Sequence, residues 1–223
     1  MQTMQVIPIH SSRPQVEERT YLHPLPVRIW HWINALGFVL LILTGIQIRY
    51  ADIFGVITFE TAIKLHNWIG FVVIANYFLW LGYHLSSDRI RNYHSVLDAK
   101  AFFNNYYQQA IYYSYGIFKG AKRPHKVQPL DKFNPMQRLT YQFIMMITGP
   151  LQLFTGLMMW DVQRFESWIA LFGGIRVVST IHVVLFILFA FFVLIHAYMG
   201  VLGEKPSTHY KEMVTGWEEH GDH

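Results

Sequence analysis

The chain has 223 residues, of which 52% are apolar, 17% aromatic and only 14% charged, whereas an ordinary soluble domain carries about 25% charge. It contains no cysteine, which excludes disulfides, iron–sulfur clusters, thiolate zinc sites and covalently attached c-type haem. A net charge of +4 could suggest nucleic acid, but the basic residues lie between long apolar runs rather than along one face, so they read as membrane orientation signals.

The segment before the first apolar run, residues 1–28, is polar and holds Pro8, Arg13 and Pro14. It lacks the apolar core of a cleaved signal peptide, so the first span is expected to act as the targeting signal. Crossing a bilayer takes about 20 apolar residues, and four stretches qualify, over about 29–48, 63–85, 139–160 and 177–202. Their cores contain no Asp, Glu, Lys or Arg. The expected fold is an all-α membrane protein, a single domain built as a four-transmembrane-helix bundle without internal repeat. Between the second and third spans lies a long loop, residues 86–138. Within it, Ala101–Lys119 is crowded with Phe and Tyr, which favour the headgroup layer, so an interfacial helix is expected. A fifth span there would bury Asn104, Asn105, Gln108 and Gln109 in hydrocarbon at high cost. Gln163–Gly173 is expected to form a shorter interfacial helix. The N-terminal segment, the long loop and the C-terminal tail carry 14 of the 18 Lys and Arg residues, leaving Arg49, Lys64, Arg164 and Arg176 on the other side. The positive-inside rule then puts both termini and the long loop in the cytoplasm.

Histidine is the unusual polar resource. Of 12 histidines, His31, His66, His84, His182 and His196 fall within or at the edge of the spans, and an intramembrane ionisable residue is a functional hypothesis by default. For any one alone, a hydrogen bond to a neighbouring helix is an equal reading. His182 and His196 are 14 residues apart, which returns them to within about 40° of one face, about 21 Å apart along the axis. In the expected orientation, His66 and His182 lie near the outer surface, and His31 and His196 near the inner one. Two b-type haems, each held by a histidine pair, fit this pattern: His66 with His182 outside, His31 with His196 inside.

Gly45 follows His31 by the same 14-residue step, which brings it to the depth of the outer pair, and Gly70 follows His66 by one turn. Glycine at such positions leaves room for a porphyrin edge; ordinary small-residue helix packing is the alternative. His84 follows His66 by 18 residues, five whole turns, and so shares its face about 27 Å away. It could replace His31 as inner ligand or serve a third haem. Beside Ser86, Ser87 and Asp88 it is expected instead at the surface or close to a quinone. The remaining histidines, His23, His94, His125, His209, His220 and His223 among them, carry no pattern.

Taken in order, VRIWHW around His31, Thr44–Gly45, LHNWIG around His66, FNPMQ at Phe133–Gln137, Ile181–His182, HAYMG from His196 and EMVTGW near the C-terminus are similar to the di-haem cytochrome b subunits of respiratory nickel–iron hydrogenase, formate dehydrogenase and thiosulfate reductase. The resemblance spans residues 21–221. It implies His31, His66, His182 and His196 as ligands of two haem b groups, and a menaquinone or ubiquinone site near the cytoplasmic haem. It also implies an iron–sulfur subunit and a catalytic subunit as partners, and residence in the bacterial cytoplasmic (inner) membrane in contact with lipid. Nucleic acid is not an expected partner; a higher oligomer remains open. The quinone site maps to Asn134 and Gln137, although the formate dehydrogenase type has a small residue where this chain has Met136.

Asn134 and Gln137 offer amide donors for quinone carbonyls, while Asn134–Pro135 also reads as a helix N-cap followed by Pro at the first position. Arg28, three residues before His31, could pair with a haem propionate, as could Arg138 or Arg176; positive-inside anchoring is an equal reading for each. The expected function is an electron conduit between an outer-side iron–sulfur partner and a quinone near the inner face. Two other classes compete, a stand-alone transmembrane b-type cytochrome reductase and a histidine-containing proton channel or transporter.

Overall fold

The computed structural model describes residues 19–53, 55–87, 99–122, 124–125, 133–201 and 207–219. The polar segment with Pro8, Arg13 and Pro14, the loop residues 88–98 and 126–132, and His94, His220 and His223 lie outside the described residues. The elements in chain order are β1 (Arg19–Tyr21), α1 (Leu25–Arg49), α2 (Phe59–Leu85), α3 (Ala99–Ser114), α4 (Pro135–Phe143), α5 (Gly149–Trp160), α6 (Glu166–Leu171), α7 (Ile175–Gly200), α8 (Thr208–Thr215) and β2 (Trp217–Glu219). A short 3-10 turn, Gly116–Lys119, follows α3, and a π-helical turn, Ile144–Thr148, joins α4 to α5.

Four helices are long and apolar enough to cross a membrane: α1, α2, the α4–π–α5 unit from Pro135 to Trp160, and α7. Each starts two to four residues before its apolar window, because caps and prolines set the first turn rather than hydropathy. Pro24 and Pro26 open α1. The Thr58 side chain accepts from the Thr61 amide at the start of α2. At 25–27 residues these helices are about 38–40 Å long, against a hydrocarbon core of about 30 Å, so they tilt or project into the headgroups. The Tyr/Phe-rich segment of the long loop is the helix α3, and the far loop carries the short α6.

The spans pack as two hairpins. α1 runs against α2, and Gly37 permits their closest approach, because an added Cβ would stand 2.7 Å from Val73 Cγ2. Buried Asn76 ties the same pair by donating to the Trp30 carbonyl at 3.0 Å. α5 runs against α7, where fully buried Met158 and Val178 pack with Ile169 of α6. The π turn leaves one carbonyl to be satisfied from outside its own helix. Gly149 N–H reaches back to the Ile144 carbonyl, and Pro150, next in line, has no N–H to offer Met145. Tyr77 of α2 supplies the missing donor, its hydroxyl reaching the Met145 carbonyl at 3.1 Å.

Outside the spans, β1 and β2 pair antiparallel, with Arg19 opposite Glu219 and Tyr21 opposite Trp217. Residues 19–23 and 216–219, towards the two chain ends, therefore meet beside the start of α1. Gly216 ends α8 at φ 89°, and both the Leu22 and His23 amides donate to its carbonyl. A Cβ there would stand 2.6 Å from the His23 carbonyl, so the joint needs glycine.

Candidate functional site

The two expected histidine pairs are formed. His31 of α1 faces His196 of α7 with ring centroids 6.1 Å apart, and His66 of α2 faces His182 of α7 at 6.4 Å. The first pair lies on the side of the bundle that holds the chain ends, and the second on the far side. An imidazole nitrogen binds a metal ion at about 2.0–2.1 Å, as in zinc sites, and lies about 1.1 Å from its ring centre; two rings facing across one ion therefore have centroids about 6.3 Å apart. Rings sharing a direct hydrogen bond would stand about 1 Å closer. Among the described residues no group of three or more His, Asp or Glu side chains gathers to hold an ion by itself. Two imidazoles alone suit a metal that brings its own planar ligand set, as haem iron does. The residues present fit that group.

The far-side pair is fixed by hydroxyls. Thr44 Oγ1 lies 2.9 Å from His66 Nδ1, and Thr155 Oγ1 lies 2.9 Å from His182 Nδ1. Gln152 Nε2 is 3.2 Å from His182 Nε2. Gly45 is where the 14-residue step puts it, with an added Cβ 3.6 Å from His66 Cε1. Gly156, which sequence reasoning missed, holds the matching place under His182, where a Cβ would stand 3.3 Å from Cε1. The missed signal was the Thr-Gly at Thr155–Gly156, one of four in the chain, echoing Thr44–Gly45. At Gly70, among the described residues, nothing lies within 4 Å of an added Cβ beyond its own helix, so the space beside it is open.

Midway between the pairs stand Phe38 and buried Phe189, ring centroids 5.3 Å apart. Phe189 is seven residues from both His182 and His196, and Phe38 seven from both His31 and Gly45. Seven residues bring a helix back to within about 20° of the same face, so this spacing was readable from the sequence.

Around the terminus-side pair the neighbours are aromatic. Phe192 stacks on His196 at 5.5 Å and 19°, Trp32 meets His31 edge-on at 5.2 Å, and the Tyr141 hydroxyl is 3.3 Å from His196 Nδ1. Beside Phe192 an apolar groove of about 560 Å³ opens between the third span and α7, lined by Leu139, Phe143, Ile144, Leu188 and Ile195.

The remaining candidates divide. Asn134 and Gln137 form a full capping box: Asn134 Oδ1 accepts from the Gln137 amide at 2.9 Å, and Gln137 Oε1 from the Asn134 amide at 3.2 Å. Asn134, only 5% exposed, also donates Nδ2 to the Tyr113 hydroxyl at 3.0 Å. Capping is thus present whatever else the asparagine does. The Arg28 guanidinium donates to the Val214 carbonyl at the end of α8, and Trp32 Nε1 donates to the Met213 carbonyl at 3.0 Å. A cation at a helix C-terminus is favourable for the last carbonyls. Arg138 Nη2 reaches the Phe133 carbonyl at 3.3 Å, and Arg176 is exposed.

His84 is not a surface residue. It is 2% exposed, its Nδ1 lies 2.9 Å from the Trp80 carbonyl, and its ring lies 4.8 Å from that of Trp80. The polar residues after it misled, because the ring turns back along its own helix into the Trp30–Trp80 cluster.

Membrane-length helices that turn histidine rings toward each other, in a chain with no cysteine to attach a porphyrin, define a membrane cytochrome of the b type. The chain belongs to the prokaryotic cytochrome b561 family, whose model matches residues 22–216; it is a prokaryotic membrane protein that binds haem b. It is 31% identical over 205 residues to cytochrome YdhU of Escherichia coli (strain K12), covering 91% of this chain and 76% of that one. It is 24% identical over 202 residues to a Ni/Fe-hydrogenase B-type cytochrome subunit of Cupriavidus necator, covering 82% of this chain and 79% of the other. No solved structure gives a significant match.

Proposed function

We propose that this chain is the membrane-anchoring di-haem cytochrome b subunit of a respiratory oxidoreductase, with haem b axial ligands His66 and His182 at one site and His31 and His196 at the other. It carries electrons between a periplasmic iron–sulfur partner and a quinone near the cytoplasmic face. The observation that carries this reading is the pair of ring separations, 6.1 and 6.4 Å, both matching the spacing of two imidazoles across one ion. Bound at these pairs, haem supplies reversible one-electron transfer.

The chain's own residues do the rest. α7 fixes both sites on one rigid rod, about 21 Å apart for 14 residues, and the Phe38–Phe189 pair fills the level between them. A histidine proton relay would need polar groups at that level, and two phenylalanines are poor ones. The basic asymmetry puts the terminus side in the cytoplasm. The quinone lies on that side, with the groove beside Phe192 as its apolar slot. The second Nδ2 hydrogen of Asn134, which neither the capping box nor Tyr113 uses, donates to its carbonyl; Gln137 and His84 are the further candidates. Relatedness to a hydrogenase cytochrome subunit supports an iron–sulfur and a catalytic subunit as partners. The test is the haem content of the purified chain. Two non-covalent haems per chain, extractable by acid acetone and reducible by a quinol, are expected; a folded chain with none contradicts the reading.

A further inference from the structure

Thr44 and Thr155 are equivalent parts of one device. Each lies on the first helix of its hairpin and meets a histidine on the second: Thr44 of α1 with His66 of α2, Thr155 of α5 with His182 of α7. Each is followed by a glycine lying under that histidine's Cε1. The bundle therefore brings two copies of a Thr-Gly/His arrangement face to face, and their rings form the far-side pair.

The hydroxyls settle which ring nitrogen carries the proton. A threonine hydroxyl has one hydrogen and two lone pairs. Thr44 Oγ1 lies 2.7 Å from the Leu40 carbonyl, and Thr155 Oγ1 lies 2.9 Å from the Leu151 carbonyl, one helical turn back in both cases. A carbonyl can only accept, so each hydroxyl hydrogen is spent on the backbone and each oxygen accepts from its histidine. Nδ1 therefore holds the proton, and Nε2 keeps its lone pair.

We infer that Thr44 and Thr155 are positioning residues that hold both far-side histidines in the Nδ1-protonated tautomer, which makes Nε2 the nitrogen that binds haem iron. A hydrogen bond on the far nitrogen orients a metal-binding imidazole and raises its basicity. The glycines leave room beside each ring's Cε1, where an added Cβ would stand 3.6 Å from His66 and 3.3 Å from His182. At the terminus-side pair the polar neighbour is instead Tyr141, at 3.3 Å from His196 Nδ1, and a phenol can either donate or accept. The inference rests on the assignment of His66 and His182 as haem ligands.

The experiment compares Thr44→Val, Thr155→Val and Thr155→Ser in the full-length protein in detergent. Haem transfer to apomyoglobin measures affinity, and low-temperature electron paramagnetic resonance of the oxidised protein reads the ligand field of each haem. Loss of such a supporting bond typically weakens a metal site about tenfold to a hundredfold. Each valine variant should weaken only the far-side haem by that factor and shift only its low-spin signal, and serine should restore both. Helix content should stay that of the wild type, which separates the effect from misfolding. Valine variants that hold the far-side haem as tightly as the wild type, with an unmoved signal, overturn the inference. Failure of the ligand assignment looks different: His66→Ala or His182→Ala would then leave both haem signals in place.

Discussion

The two histidine pairs share α7 and nearly the same ring spacing, yet they are supported by different chemistry. On the far side both rings are held by hydroxyls that are themselves bonded to backbone, above a close-packed cluster of Met158, Ile169 and Val178. On the terminus side the supports are aromatic faces, a phenol at longer range and a roof made by α8 and the β1–β2 pair. Beside Phe192 on the terminus side an apolar groove opens. A centre that exchanges electrons only with neighbouring centres gains from rigidity. One that serves a lipid-borne molecule needs a wall that the molecule can reach.

The largest expected effect comes from removing what the two pairs share. Phe189 is 3% exposed and packs on Phe38 between them, so Phe189→Ala should loosen both sites alike. Emptying a buried Phe site costs about 3–5 kcal/mol in a soluble core, an upper bound here because lipid rather than water is the alternative surrounding. Thermal melts followed at each haem band check this. Loss confined to one site would mean that the aromatic pair belongs to that site and is no shared spacer.

Asn134→Leu should touch the terminus side alone. An unpaired buried group costs about 1–3 kcal/mol, so quinone turnover should fall about fivefold to a hundredfold while both haems stay bound. Asn134→Ser is the control, because serine can still cap α4. Restored stability with a persisting kinetic defect supports the quinone role; restored turnover assigns the residue to capping alone.

Arg28→Met should be milder, releasing the end of α8 from α1. Charge at a helix end is worth about 0.3–1 kcal/mol, so the expected readout is faster proteolysis of the C-terminal segment with the far-side spectrum unchanged. A lost haem instead would assign Arg28 a propionate role beside its Val214 contact.

The smallest effect sharpens the comparison within the far side. Gly156→Ala puts a Cβ 3.3 Å from His182 Cε1, so the ring must give by a few tenths of an ångström, whereas Gly45→Ala meets His66 at an ordinary 3.6 Å. The first should move the far-side haem's visible band and the second should not. Equal shifts would mean that the glycines serve helix packing.

What the sequence revealed was governed by local periodicity. The 14-residue step on α7, the Gly45 depth argument and the Asn134 cap all follow from helix geometry within one segment, and the structure keeps them. Helix ends were misjudged by a few residues because prolines and caps, not hydropathy, start α1 and α4. Contacts between distant segments were out of reach: Arg28 meets Val214 across 186 residues. His84 read as a surface residue because chain neighbours cannot report that a ring folds back onto its own helix. Thr155 was not singled out because Thr-Gly occurs four times in the chain, at 44–45, 148–149, 155–156 and 215–216, and the dipeptide is too short to stand out without the histidine it meets.

The pairing itself is tested most directly by haem counts and redox titration of single and double histidine variants. His66→Ala, His182→Ala and their double variant should each lose one and the same haem, leaving one redox step in place of two. His31→Ala and His196→Ala should each lose the other haem. A double variant of one proposed pair that loses both haems, or an inner haem that survives His31→Ala and is abolished by His84→Ala, would contradict the account.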